Sequence, residues 1–171
     1  METWEAITSR RNVREFAQRP IASEQLERIL EAGRRAPSSR NWQPWDLVVV
    51  TDRAQLEELA KVWQGAGHVA RSAATVALIL KRTDDPFERD RGHYDLGQAT
   101  MAMLIAAADL GIGSGHAAVT DQEQARRVLG FPEDRYAAYL LDFGYPAERP
   151  LQPIRKPNRR PFEEVVHQGG W

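Results

Sequence analysis

The chain has 171 residues and a mass of 19.4 kDa, the size of one ordinary domain. Twenty-three Lys and Arg oppose twenty-four Asp and Glu, and a formal charge of −1 argues against a nucleic-acid partner. Cys is absent, which excludes a disulfide framework, a thiolate nucleophile and a Cys-bound metal or iron–sulfur cluster.

The charge balance hides a skew: twenty of the cations are Arg and three are Lys. Arg carries a planar, always-charged fork suited to phosphates and carboxylates. The apolar fraction of 42% can build a core, and the 27% of charged residues suits a soluble surface. The first residues, Met-Glu-Thr-Trp-Glu, lack the basic and apolar regions of a signal peptide. The longest apolar stretch, residues 101–110, is too short and too charged to span a membrane. The expectation is a cytoplasmic protein with no membrane partner.

In chain order, residues 3–10 suit a short helix, with Trp4 and Ile7 three apart. After Pro20, Ser23 is the expected N-cap of a helix whose apolar face holds Leu26, Ile29 and Leu30, ending near Pro37. Residues 38–44 read as a polar loop, and residues 46–51 as a β-branched strand. Asp52 should cap a helix bearing Leu56, Leu59, Ala60 and Trp63, broken by Gly65 and Gly67. Residues 74–80 read as a buried strand, and residues 82–91 as a charged loop. Residues 94–110 form the longest helical pattern, apolar nearly all round and so expected at the centre of the fold. Residues 111–115 are expected to end it as a glycine loop. Asp121 should cap a helix that Gly130 closes, and residues 139–143 form a third strand. From Ala147 the tail is rich in Pro and Arg, without periodicity. Helices alternate with strands over one domain, 1–171, so a small sheet packed between helices is expected. The tail, residues 147–171, lacks a core of its own and is expected to lie on a partner subunit.

Four segments bear on chemistry. Arg10, Arg11 and Arg14 fall within five residues and could grip a phosphate dianion. Spacing alone favours the other reading, a solvated basic turn paired with Glu5 and Glu15. Residues 36–45, APSSRNWQPW, set two hydroxyls, two amides and two Trp between a helix and a strand, enough to read a heterocycle or merely to anchor a turn. Gly111, Gly113 and Gly115 do not match the dinucleotide fingerprint and follow a helix instead of a strand, yet would let a planar ligand approach the backbone. Residues 156–164 read as a charged tail. His68, His93, His116 and His167 form no H-x-x-x-H pair, so no metal site is expected. Neither a G-x-S-x-G elbow nor a P-loop is present.

Taken in order, these segments resemble the nitroreductase family of flavin mononucleotide (FMN)-dependent oxidoreductases. The opening R-R-(S/N)-x-R-x-F lies at residues 10–16, the A-P-S-S-x-N-x-Q-P-W loop at 36–45, and L-G-(I/L)-G at 110–113. G-Y-P lies at 144–146 and R-x-P-x-E-E-V-V at 159–166. The resemblance covers almost the whole chain. It implies an α+β fold, an α/β/α sandwich with a small, mainly antiparallel sheet, in a domain-swapped homodimer with FMN at the subunit interface. It implies that Arg10, Arg11, Asn12 and Arg14 hold the flavin phosphate and ribityl chain, and that Arg159 or its neighbour Arg160 returns from the tail to the phosphate. Pro37, Ser38, Ser39 and Asn41 would come from the other subunit, with Gln43 supporting the loop or touching the flavin. His116, Ala117, Ala118 and Val119 match the stretch that presents backbone groups to flavin N5 and O4. Family members often have Pro, then Glu-Gly, where this chain has His116, Ala118 and Val119, which keeps the backbone contacts and removes the side-chain ones.

The implied reaction is hydride transfer from NADH or NADPH, through flavin N5, to a small nitroaromatic, quinone or similar acceptor in ping-pong fashion. No protein acid–base residue is required, because the cofactor carries the redox chemistry. The family also includes dehalogenases and a flavin-fragmenting branch, so another chemistry on the same flavin is a second reading. A non-enzymatic anion-binding module is a third. Many relatives carry extra helices over the flavin where this chain has only residues 82–93, so a more open substrate side is expected.

Overall fold

The computed structural model describes residues 1–171. Five helices and four strands alternate: α1 (Thr3–Ser9), α2 (Ser23–Arg34), β1 (Trp45–Val50), α3 (Arg53–Leu59), β2 (Ala74–Lys81), α4 (Pro86–Asp109), β3 (Gly113–Ala118), α5 (Gln122–Leu129) and β4 (Arg135–Gly144). The sheet is antiparallel throughout, in the order β1-β2-β4-β3. Helices cover both faces. Val76, Leu78, Leu80, Leu141 and Phe143 pack with Ile29 of α2 and Leu96, Ala99 and Met103 of α4. The alternate residues Val50, Ala77, Ile79 and Leu140 pack with Leu56 and Leu59 of α3 and Ala125 of α5. This is the expected α/β/α sandwich, produced by the two-residue period of strands buried on both sides.

The β2–β4 ladder slips once: Leu78 faces Tyr139 and Ile79 faces Ala137, leaving Ala138 as the extra residue of a bulge. Tyr139 lies on the α4 side by alternation with Leu141 and Phe143, and the bulge turns Ala137, two residues earlier, into the opposite core.

Several expectations at element ends hold. Asp52 accepts the Gln55 N–H at 2.9 Å, and Asp121 accepts the Gln124 N–H at 2.8 Å. Gly130 closes α5 with φ 72°. Others do not. Ser23 is the first helical residue of α2; Ala22 holds the extended cap position, and its side chain accepts nothing. Of the charged stretch 82–91, only residues 82–85 form a loop. Asp85 caps Phe87 N–H at 2.9 Å with Pro86 just inside, and α4 runs 24 residues from there. Its first turns are charged because they are solvated, which hid their helical form. Residues 82–93 are accordingly a short loop followed by the first two turns of α4. The glycine stretch is also more than a helix-ending loop: Gly111, with φ 71°, turns the chain, and β3 begins at Gly113. Trp63 lies beyond α3 in extended backbone, after a 3₁₀ turn at Ala60–Val62.

The tail has a single 3₁₀ turn, Phe162–Glu164, and is exposed beyond Leu151. Its root is tied to the N-terminal segment: Ala147 N–H donates to Glu15 C=O and Ile154 N–H to Thr8 C=O, both at 3.0 Å. No helix is long and apolar enough to cross a membrane.

Leu140 is fully buried on the central strand β4. Leu140→Ala should lower the unfolding free energy by about 2–5 kcal/mol, read as a reduced denaturant midpoint at unchanged slope.

Candidate functional site

Residues 10–16 leave α1 and run extended along the outer edge of β3. Asn12 bridges Ser114 in parallel, and Val13 N–H donates to Ser114 C=O at 2.9 Å. Val13 and Phe16 are buried and anchor the segment, whereas Asn12 and Arg14 are exposed and Arg10 and Arg11 half-buried. The approach is too close for side chains on β3. A Cβ on Gly113 would lie 2.7 Å from Val13 Cγ2, and one on Gly115 would lie 2.7 Å from Val13 O and 2.8 Å from Asp142 Oδ2. Both positions therefore require glycine for space. Asp142 is fully buried there and pairs with His68, Nδ1 to Oδ2 at 2.9 Å.

Beyond Ser114, β3 is the edge of the sheet. Ser114 turns its carbonyl outward to Val13, so by the alternation of an antiparallel ladder His116 and Ala118 also turn their N–H and C=O groups outward. Ala117 points its side chain into the α3/α5 core, and Val119 packs at that core's margin. His116 projects to the α4 side and is exposed.

On that side, between α4 and strands β2, β3 and β4, lies a cavity of about 380 Å³. Leu78, Leu96, Leu104 and Leu141 form its apolar surfaces, and Arg10, His93, His116, Thr100 and Tyr139 supply polar groups. The volume is in the usual range for a small-ligand site. Two segments more than a hundred positions apart in sequence, the Arg10 cluster and the His116 stretch, thus meet on one cavity. The Tyr136 hydroxyl lies 2.8 Å from His93 Nε2; burial pushes the Tyr136 phenol above its ordinary value, so it stays protonated near neutrality.

The basic cluster is not a paired surface turn. Glu15 is engaged by Arg71 at 2.8 Å, and Glu5 has no ion pair. Arg10, Arg11, Arg14, Arg159 and Arg160 form no ion pair at all. Arg10 Nη1 reaches Asn12 Oδ1 at 3.4 Å, while Arg11 Nη2 turns to Arg149 C=O at 3.0 Å. Arg11 therefore lines a different cavity, with Arg149 and Arg155.

Within one protomer the other expected residues stay apart from this cavity. Pro37, Ser38, Ser39, Asn41 and Gln43 belong to a turn packed on α4, around a 3₁₀ turn at Ser39–Asn41. Ser38 Oγ accepts the Gln43 N–H at 2.9 Å, and Gln43 Nε2 donates to Asn41 C=O at 3.1 Å. Arg159 and Arg160 lie in the exposed tail, with Arg159 Nη1 bonded only to its neighbour Asn158 C=O. Sequence reasoning missed His93, Thr100 and Tyr139 as cavity residues. The helical pattern of α4 could have indicated Thr100, a polar residue in an apolar run, and alternation with Leu141 and Phe143 could have indicated the side of Tyr139.

The description "Nitroreductase family" fits residues 7–69 and 61–145 of this sequence. The chain belongs to the nitroreductase family. An Archaeoglobus fulgidus relative, named for NADH dehydrogenase and NAD(P)H nitroreductase, is 31% identical over 151 residues, 86% of this chain and 87% of its own. A Vibrio harveyi NADPH-flavin oxidoreductase is 29% identical over 97% of this chain and 73% of its own. Among solved structures, the NADPH:FMN oxidoreductase from Vibrio harveyi complexed with NAD+ superposes with a TM-score of 0.87 at 27% identity, over 99% of this chain and 77% of its own.

Gly115→Ala places a methyl group against backbone and a buried carboxylate. It should destabilise the nitroreductase fold by about 1–3 kcal/mol. Amide exchange at Val13 should quicken more than exchange in β2, because the lost approach is local.

Proposed function

We propose that this nitroreductase transfers a hydride from NADH or NADPH to a small planar acceptor, a nitroaromatic, quinone or similar molecule, with ping-pong use of one site. By family it is an FMN-dependent NAD(P)H oxidoreductase. The observation that carries the reading is the cavity on which Arg10, which forms no ion pair, and His116 on the open edge of β3 meet.

FMN fits these residues in chemical kind: a dianion, a polyol and a planar ring need cations, short polar groups and close backbone donors. When bound, FMN supplies the redox chemistry, accepting a hydride at N5 and passing it on. The chain's own part is binding and orientation. Arg10 and Arg14 offer guanidinium forks to the phosphate without an acidic residue to displace, and Asn12 lies between them. His116 and Ala118 present backbone N–H groups, for which the side chain is immaterial. The leucines of the cavity exclude water, and His93, His116 and Tyr139 give an acceptor's oxygen hydrogen-bonding groups.

The reading includes a homodimer. Phe87, Tyr94 and Met101 are exposed at seven-residue spacing along α4, Met101 also at the mouth of the cavity, and Trp4 and Ile7 of α1 are exposed too. That is the pattern of a helix seam lacking its partner. In the tail, Phe162, Val165, Val166 and Trp171 are exposed as well. An arm lying on the partner subunit would cover them and bring Arg159 or Arg160 to the partner's phosphate site. The same dimer would carry Ser38, Ser39 and Asn41 of the partner subunit to the flavin.

The protein should purify yellow, and its visible absorbance should bleach on anaerobic addition of NADPH or NADH. A folded protein that stays colourless after incubation with FMN would contradict the reading. Arg14→Glu should expel FMN and leave the dimer intact, since the side chain touches neither core nor ion pair. Full flavin occupancy in that variant would contradict its assigned role. Truncation after Pro146 should yield a monomer without flavin, measured by light scattering and absorbance; a flavin-loaded dimer would exclude the arm.

A further inference from the structure

Asp95 is 1% exposed on α4 and has no cationic partner in an ion pair. A buried carboxylate must be held by donors, and these donors are specific. Oδ2 accepts the Ser39 backbone N–H at 3.0 Å, and Oδ1 accepts from Gln98 Nε2 at 3.3 Å. One turn earlier, the Arg91 guanidinium lies over the Trp42 ring at 4.6 Å. α4 therefore grips the 38–43 turn at two points, one polar and one stacked.

The gripped turn is strained. Arg40, Asn41 and Gln43 have φ of 52°, 58° and 51°, the left-handed region that glycine normally fills. Two backbone bonds close it, Asn41 N–H to Ser38 C=O and Trp42 N–H to Ser39 C=O, both at 3.0 Å, and its internal side-chain bonds, Gln43 N–H to Ser38 Oγ and Gln43 Nε2 to Asn41 C=O, are exposed and compete with water. The bond to Asp95 is the one made to a buried charge.

We propose that Asp95 is a positioning residue for flavin binding: it fixes Ser39, and through it the left-handed turn that presents Ser38, Ser39 and Asn41 to the flavin of the partner subunit. This rests on the FMN reading above. Asp95 itself touches no flavin. Because the turn serves the partner's site, its effect crosses the dimer.

The test uses the full-length apo dimer titrated with FMN by quenching of flavin fluorescence. Asp95→Leu should weaken FMN binding by about tenfold to a hundredfold, the loss expected for a hydrogen bond to a charged group. Asp95→Ala serves as the second truncation should the Leu variant fail to fold. Asp95→Asn keeps an acceptor for Ser39 N–H and, with the Gln98 amide turned over, should bind within about threefold of the parent. Without any FMN, exchange of the Ser39 amide should accelerate in the Leu and Ala variants and not in Asn. A merely structural role would lower the melting temperature but leave affinity of the folded dimer unchanged, and that outcome overturns the proposal; so does unchanged Ser39 exchange. Failure of the parent protein to bind FMN would instead overturn the functional reading, with the exchange comparison still reporting on the grip. Mixed dimers test the crossing. An Arg14→Glu chain paired with an Asp95→Leu chain should keep one site of full affinity. A chain carrying both changes, paired with the parent chain, should keep none; equal behaviour of the two mixed dimers overturns action across the interface.

Discussion

The close approach of residues 10–16 to β3 is the constraint on which the site depends. Val13 sits where side chains on Gly113 and Gly115 would collide with it, and its N–H is bonded to Ser114 C=O. Two consequences follow from that contact. Half-buried Arg10 is held on the cavity wall, while Asn12 and Arg14 stay exposed further along the segment. The strand edge is occupied only as far as Ser114, so His116 and Ala118 keep free backbone groups just beyond. An open strand edge is usually a liability, and here a short stretch of it lies beside the site.

The Arg-over-Lys skew divides into distinct uses. Arg28, Arg34, Arg35, Arg71, Arg89, Arg126 and Arg135 meet carboxylates at the surface. The pairing with Arg34 and Arg35 holds the Glu31 carboxyl down to about 2. Such exposed pairs add little stability. Arg53 donates to the Ala70 and Ser72 carbonyls, while Arg19 and Arg91 lie over Tyr145 and Trp42. Arg10 and Arg14 near the N-terminus, and Arg159 and Arg160 in the exposed tail, form no ion pair, and the proposed function assigns their charge to a ligand.

Helix α4 joins the separate parts. Leu96, Ala99 and Met103 enter the core, and Leu104 and Thr100 face the cavity. Asp95 and Arg91 hold the 38–43 turn, while Phe87, Tyr94 and Met101 keep much of their apolar surface exposed. A helix used on every side has no clear amphipathic period, which is why its centre reads as uniformly apolar and its first turns as a loop.

Much of the fold was legible in the sequence because it rests on local physics. The β-branched runs made β1 and β2, Asp52 and Asp121 capped their helices, and Gly130 ended α5. The motifs of residues 10–16, 36–45 and 110–113 identified the family by their order along the chain. What the sequence could not express was strand β3, since glycine disfavours strands and is there only for the approach of Val13. The α4 start was likewise concealed by solvated charges, and the face of Ala137 by a bulge. Only the tertiary structure decided which segments meet. It joined Arg10 to His116 on one cavity and turned Arg11 toward the tail. It also put the 38–43 turn on Asp95, a residue with no local signal because its partner lies 56 positions away. Periodicity and capping act over a few residues, whereas burial of Val13 and Asp95 depends on elements brought together by the sheet.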